Sequence, residues 1–306
     1  MEGRESAKKT SMTEHPDFSQ TAPFEVAQPQ RQTVPFVFNS PHSGSTYPQR
    51  FLDMARLDPH AIRRSEDCFV DDLFAGVTAL GAPFLKANFP RAYLDVNREP
   101  WELDPRMFTT SLPPYANTRS ARVAGGLGTI PRLVGEGQEI YAAKLPLEEA
   151  VGRIEGVYKP YHDRLRSLIG ATHKAFGVAV LIDCHSMPAT IRLPDTRIRP
   201  DFIIGDRFGM SCRADLSEAA IGHLASRGYM VAHNKPYAGG FITEHYGRPA
   251  RGIHALQVEI NRSLYMDEER LVPNDGYDQL RRDLHELAAS LIDLFAPPAE
   301  LPVAAE

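Results

Sequence analysis

Val178-Ala179-Val180-Leu181-Ile182 is the stretch that most constrains how this chain can fold. Five apolar residues in succession, three of them β-branched, leave no polar face for water, so the strand they form must be covered on both sides. Such a strand belongs to a sheet that carries helices above and below it. The run then stops on Asp183, Cys184, His185 and Ser186 and is closed by Pro188. A strand end that reaches solvent is one account of this. The other is a catalytic site, because open α/β sheets gather ligands at the carboxyl ends of their strands.

The remaining segments alternate between strand and helix patterns. Val34–Asn39 reads as a strand that runs into SPHSG. Residues 66–80 place Phe69, Val70, Leu73, Phe74, Val77 and Leu80 at helical spacing. PFLKANFPRAYLDVN reads as a strand pair, or a strand with a turn. A Pro-, Gly- and Arg-rich stretch follows to about residue 135; its Arg106, Arg119, Arg122 and Arg132 either wall a pocket or cover the sheet. Residues 138–176 suggest two helices interrupted at Pro146, and Asp201–Gly205 a further strand. After a helix over 214–227, GYMVAHN leads into the loop YAGGFITEHYGRP, whose glycines permit a flap or simple turns. ALQVEINRSLYM is a strand, and 275–295 a closing helix. The alternation predicts an α/β fold with a mixed, mostly parallel sheet sandwiched by helices.

Residues 1–30 carry few large apolar groups and read as a mobile tail, as do residues 297–306; residues 31–296 are expected to form a single domain. A net charge of −5 gives no electrostatic reason to expect nucleic acid or an acidic membrane surface as partner. No apolar run approaches the roughly 20 residues of a membrane helix, and no secretory signal core is evident, so the expected location is the cytoplasm. Cys68, Cys184 and Cys212, odd in number and scattered, read as reduced thiols.

Potential chemistry gathers at strand ends. His42 follows the first strand, Glu66 and Asp67 open the first amphipathic helix, and His185 ends the opening strand. Two imidazoles with a carboxylate are the ligand set of many catalytic zinc sites, which leave a further position for water. Structural hydrogen bonding by each His, and helix-dipole compensation by the acidic pair, are the bland alternatives. Cys184 alternates to the other side of its strand from Asp183 and His185, which makes it packing. Arg91, Asn97 and Arg98 offer forked and directional donors for a small acid, and Asp95 could orient a metal-bound His. Glu259, amid Leu256, Val258 and Ile260, is either a desolvated base or half of an ion pair with Arg262.

In order, NSPHSG, SEDCFVDDLF, FPRAYLDVNRE, LIDCHSMP, PDFIIGDRFGMSC, KPYAGGFITEHYGRP and ALQVEINRSLYM resemble the N-formylglutamate amidohydrolase family over residues of about 34–290. The resemblance implies a phosphorylase/hydrolase-like, zinc exopeptidase-type fold related to metallocarboxypeptidases and aspartoacylases. It further implies hydrolysis of N-formyl-L-glutamate, or a similar small acidic N-acyl amino acid, to formate and glutamate in histidine degradation. By analogy with the carboxypeptidases, His42, Glu66 and His185 would hold one Zn2+, with Asp67 as the second choice of carboxylate. The analogy is incomplete, because the acid expected three residues after the first His is Ser45 here. Glu259 would be the general base and Arg91 would face the oxyanion. Asn97 and Arg98 would grip the α-carboxylate, Tyr246 would be the loop tyrosine, and Arg248 or Arg262 would read the side-chain carboxylate. The rivals are a different acyl-amino-acid hydrolase or carboxypeptidase-like enzyme, a metal-free metabolite binder, and a thiol hydrolase built on Cys184 and His185.

Overall fold

The computed structural model describes residues 16–18, 21–194 and 196–295. Seven strands build the central sheet: β1 (Phe24–Ala27), β2 (Phe36–Ser40), β3 (Phe84–Ala87), β4 (Ala179–Met187), β5 (Phe202–Gly205), β6 (Val231–His233) and β7 (Ile253–Asn261). Their order is β1-β3-β2-β4-β7-β5-β6. β3, β2, β4 and β7 run parallel, β1 and β5 pair antiparallel to β3 and β7, and β6 runs parallel to β5. The expected mixed, mostly parallel α/β sheet is what forms.

Strand alternation divides the apolar side chains between two cores. Val180, Ile182 and Cys184 pack with Phe36, Phe38, Leu256 and Val258 beneath the helices Ala214–Ser226 and Tyr277–Asp293. Leu181 turns to the other face with Val37 and Ala255, covered by Tyr161, Leu165 and Leu168 of the helix Lys159–Phe176. Burying each such side chain contributes roughly 1.5–3 kcal/mol, which is why β4 needs cover on both sides. Among the described residues, no helix is long and apolar enough to cross a membrane.

Three local expectations are corrected. Residues 24–27, inside the supposed mobile tail, form β1 and pair with β3 from Phe24↔Ala87 to Ala27↔Phe84; residues 1–15 and 297–306 lie outside the described residues. The segment 66–80 is no single helix. Its helical turn is Val70–Leu73, preceded by Phe69 in the left-handed region at φ 65° and followed by a 3-10 turn at Ala75–Thr78. The reason is that the Asp67 N–H donates to the His42 carbonyl (3.0 Å), which ties the chain to the end of β2. Helix also begins only after Pro146, at Leu147, and runs through a π turn at Ile154–Tyr158 into Lys159–Phe176. That wider turn precedes Pro160, whose ring and missing N–H an unbroken α-helix would not accommodate.

Candidate metal centre and active-site cleft

Two parallel strands and one loop converge at the carboxyl edge of the sheet. His42 follows the end of β2, His185 lies on β4, and Asp67 is held beside His42 by the backbone hydrogen bond described above. One ligand atom from each of the three lies within 4.8 Å of the others, and all three side chains are buried. His42 Nε2 stands 2.8 Å from Asp95 Oδ1, and His185 Nε2 stands 2.9 Å from Asp183 Oδ2. A carboxylate can only accept, so each Nε2 carries a proton, which leaves each Nδ1 as the nitrogen available to a cation. Both Nδ1 atoms face Asp67 Oδ2, at 3.4 Å from His42 and 3.1 Å from His185.

The surroundings fix each of these groups. Asn39 donates to Asp183 Oδ1 (2.7 Å) and accepts from Tyr161 (2.5 Å), a residue of the covering helix. Asp95 also takes the Asn97 N–H (2.8 Å) and Arg91 Nε (3.0 Å). Asp67 Oδ1 accepts from Ser186 Oγ (3.1 Å) and Arg262 Nη2 (3.2 Å). Such carboxylate-imidazole pairs set the tautomer and orientation of metal-ligating histidines.

The residues fit a bound cation. His42 Nδ1 is buried and has no hydrogen-bond partner, although an unmet buried polar atom costs about 1–3 kcal/mol. Two imidazole nitrogens and one carboxylate oxygen are the donor set that zinc takes with a position left open. Electrostatics agree. Burial works against ionised Asp67, but the neighbouring His185 and His42 outweigh it and hold its pKa well below the usual carboxylate range. Burial likewise opposes a charged His185, yet Asp183 and Asp67 prevail and push its pKa well above the ordinary value. Positive charge is favoured at this point.

A cleft of about 690 Å³ opens over His42 and His185, lined among others by Arg91, Arg98, Tyr237, Gly240 and Glu259. β7 presents Glu259 beside His185, its register partner on β4. Burial raises the Glu259 carboxyl to about 8, with Asp67 and Asp183 adding to the rise and His185 and Arg91 opposing it. Its Oε1 accepts from Gln257 Nε2 (2.8 Å), while Gln257 Oε1 accepts the Gly240 N–H (2.7 Å).

Several expected site residues take other places. Glu66 turns away from both histidines. Arg63 forks onto it at 3.0–3.1 Å and Tyr47 donates to it (2.6 Å), so its charge is already satisfied. The carboxylate at the imidazoles is that of Asp67. Tyr246 bonds His162 Nδ1 (2.9 Å) on the covering helix and does not line the cleft; the tyrosine that does is Tyr237. Arg248 donates to the carbonyls of Glu244 and Gly247, also away from the cleft. Arg262 lines the cleft floor, but its Nε and Nη2 go to Ser186 and Asp67, so it is not paired with Glu259 as one reading of β7 supposed. Asn97 reaches the cleft, but its Oδ1 is occupied by the Ile242 N–H (2.8 Å). Arg98 is likewise engaged, by the Leu127 and Asn97 carbonyls at 2.8 and 2.7 Å.

The glycine loop is pinned at both Asn97 and Gln257, and a Cβ on Gly240 would strike the Asn97 side chain, so this segment is a fixed wall in place of the flap its glycines suggested. Cys184 is fully buried in the core on the opposite sheet face, which removes it as a nucleophile for this cleft. Residues that the pattern reading did not assign are Asp183, Gln257 and Tyr237. The first two share the strand parity of His185 and Glu259, which was the available signal.

A family model described as N-formylglutamate amidohydrolase matches residues 34–266. An N-formylglutamate deformylase of Pseudomonas putida is 30% identical over 239 residues, covering 77% of this chain and 83% of the relative. One from Pseudomonas aeruginosa PAO1 is 29% identical and covers 88% of this chain and 96% of the relative. Among solved structures, an N-formylglutamate amidohydrolase from Ralstonia eutropha JMP134 superposes with a TM-score of 0.84 at 35% identity, covering 90% of this chain and 98% of that one. A gene product from Agrobacterium tumefaciens shares the fold at 18% identity and a TM-score of 0.57, covering 89% of this chain and 94% of that one. With the superposed fold and the matched span in agreement, this chain belongs to the N-formylglutamate amidohydrolase family, hydrolases of amide bonds.

Proposed function

We propose that this chain hydrolyses N-formyl-L-glutamate to formate and L-glutamate, with one divalent cation, zinc by its donor set, held by His42, Asp67 and His185. The observation that carries this reading is the convergence of two Nδ1 atoms and Asp67 Oδ2, each imidazole backed through Nε2 by its own carboxylate. When bound, the cation supplies Lewis-acid polarisation of the formyl oxygen and a water made acidic enough to react near neutral pH.

The chain's own groups then act around that centre. Glu259 accepts the proton of the attacking water and delivers it to the amide nitrogen as the C–N bond breaks, so that glutamate leaves with its amine and the formyl carbon leaves as formate. Gln257 holds the Glu259 carboxylate from one side. Arg91, fixed through Nε by Asp95, turns the rest of its guanidinium to the cleft, where it faces the developing oxyanion. One such fixed donor is worth about 2.7–4 kcal/mol. Burial keeps the Tyr237 phenol protonated, with Glu259 adding to the effect, so Tyr237 is a further donor at the same place. Arg98 supplies a buried positive charge for the α-carboxylate, its orientation set by two carbonyls.

The test is hydrolysis of N-formyl-L-glutamate against N-acetyl-L-glutamate and short peptides, with metal content measured on the same protein. Release of formate from the first substrate, lost with chelator and regained with zinc, is the expected result. Chelator-resistant turnover, or preference for peptides, would refute the reading. Thiol alkylation should leave activity intact, because Cys184 has no path to the cleft.

A further inference from the structure

The irregular stretch before residue 135 contributes four arginines, and the fold gives them unequal tasks. Arg106 and Arg132 close on Asp104 at 2.8 and 3.0 Å and hold the stretch together. Arg119 is exposed. Arg122, on the short turn Ala121–Ala124, is half-buried and lines the cleft.

The other cleft arginines already have work. Arg91 is bound to Asp95, Arg98 to two carbonyls, Arg207 to Glu244 (2.7 Å) and Arg262 to Asp67; Arg64 is exposed at the rim. Among the described residues, the guanidinium of Arg122 makes no hydrogen bond and no ion pair. What it meets is like charge. Burial lowers Arg98 to about 10, and Arg91 and Arg122 push it further in the same direction. A half-buried guanidinium without a counter-ion, beside a second cation and open to a cleft, is the arrangement an arriving carboxylate satisfies.

Its place in the cleft indicates which carboxylate. Arg91 is bound to Asp95, which itself holds His42, whereas Arg122 belongs to the segment that carries Leu127: the Arg122 carbonyl accepts the Leu127 N–H (2.8 Å), and the Leu127 carbonyl in turn takes Arg98 Nε. The α-carboxylate of an N-formyl amino acid lies next to the scissile amide; a glutamate side-chain carboxylate lies further along the molecule. Arg262, one sequence-based choice for that group, is committed to Asp67, and Arg248, the other, is outside the cleft.

We propose that Arg122 receives the substrate's side-chain carboxylate and sets the preference for an acidic over a neutral N-formyl amino acid. This rests on the hydrolase reading above and adds the specificity determinant to it.

The test compares the zinc-loaded chain with its Arg122→Met and Arg122→Lys variants on N-formyl-L-glutamate and on N-formyl-L-glutamine, which has the same shape without the charge. Arg122→Met should lower kcat/KM about 100-fold for the glutamate substrate and leave the glutamine substrate nearly unchanged, removing the discrimination. Arg122→Lys should recover part of it. Calorimetric titration with L-glutamate and L-glutamine reads the same preference without turnover: the wild type should bind glutamate more tightly, and Arg122→Met should not. Equal losses on both substrates, or none on either, would overturn the assignment. If the wild type cleaves neither substrate, the hydrolase reading fails, and calorimetry still decides on Arg122; a wild type that binds the two amino acids alike overturns it. Should Arg122→Met not fold, as melting temperature and zinc content would reveal, Arg122→Gln replaces it under the same criteria.

Discussion

Replacing Gln257 with Glu separates two functions that one amide performs. The backbone N–H of Gly240 can only donate, so the Gln257 oxygen must face it, and this forces the amide nitrogen toward Glu259 Oε1 at 2.8 Å. The variant keeps an oxygen for Gly240, and the loop should stay where it is. What changes is the other contact: a donor becomes a second carboxylate against the first. A hydrogen bond to a charged group is worth about 1.5–3 kcal/mol, so kcat should fall about 10- to 150-fold with KM nearly constant. The sign of the pH effect also follows. The amide favours ionised Glu259, and its loss together with a like charge raises the pKa of the base, which moves the acidic limb of the kcat profile to higher pH. The assay is formate release from pH 5 to 9, with zinc content and melting temperature as controls for folding. Unaltered kcat and an unmoved acidic limb in a folded, metal-loaded Gln257→Glu variant would refute the positioning of Glu259 by Gln257.

Two further outcomes follow from the same geometry. Asp67→Asn should remove most of the bound metal, whereas Glu66→Gln should retain it and cost about 1–3 kcal/mol of stability through the weakened Arg63 and Tyr47 contacts. Metal analysis and denaturant melts distinguish them, and equal metal retention would count against Asp67 as ligand. Glu259→Gln should keep metal while turnover drops about 10²- to 10⁴-fold. For chelated protein, the Glu259 value of about 8 lies above its unfolded value of 4.5, so the folded state holds the extra proton in that window. Stability therefore falls as pH rises from about 4.5 to about 8, and Glu259→Gln should flatten this slope in pH-dependent melts; an unchanged slope would contradict a desolvated Glu259.

The architecture was legible because it rests on local pattern. An unbroken apolar β4 can exist only between two layers, and alternation along it already assigned Cys184 to packing and His185 with Asp183 to the other face. His42 and His185 stood out because polar groups that end buried strands are uncommon and collect at one edge of such a sheet. Register and partner choice were not legible. Glu66 and Asp67 are adjacent carboxylates of near-equal chemistry, and only the fold shows that Arg63 and Tyr47 take the first while the His42 carbonyl draws the second to the two imidazoles. The same holds for the arginines, whose long side chains reach several partners from one Cα position. Arg262 ends on Asp67, Arg248 on nearby carbonyls, and Arg122, from a stretch with no periodic signal, in the cleft. Sequence determines which faces must be buried, because burial is set by side-chain type repeated at a fixed period. Which charges then meet is decided by tertiary structure, because that depends on distances between segments far apart in the chain.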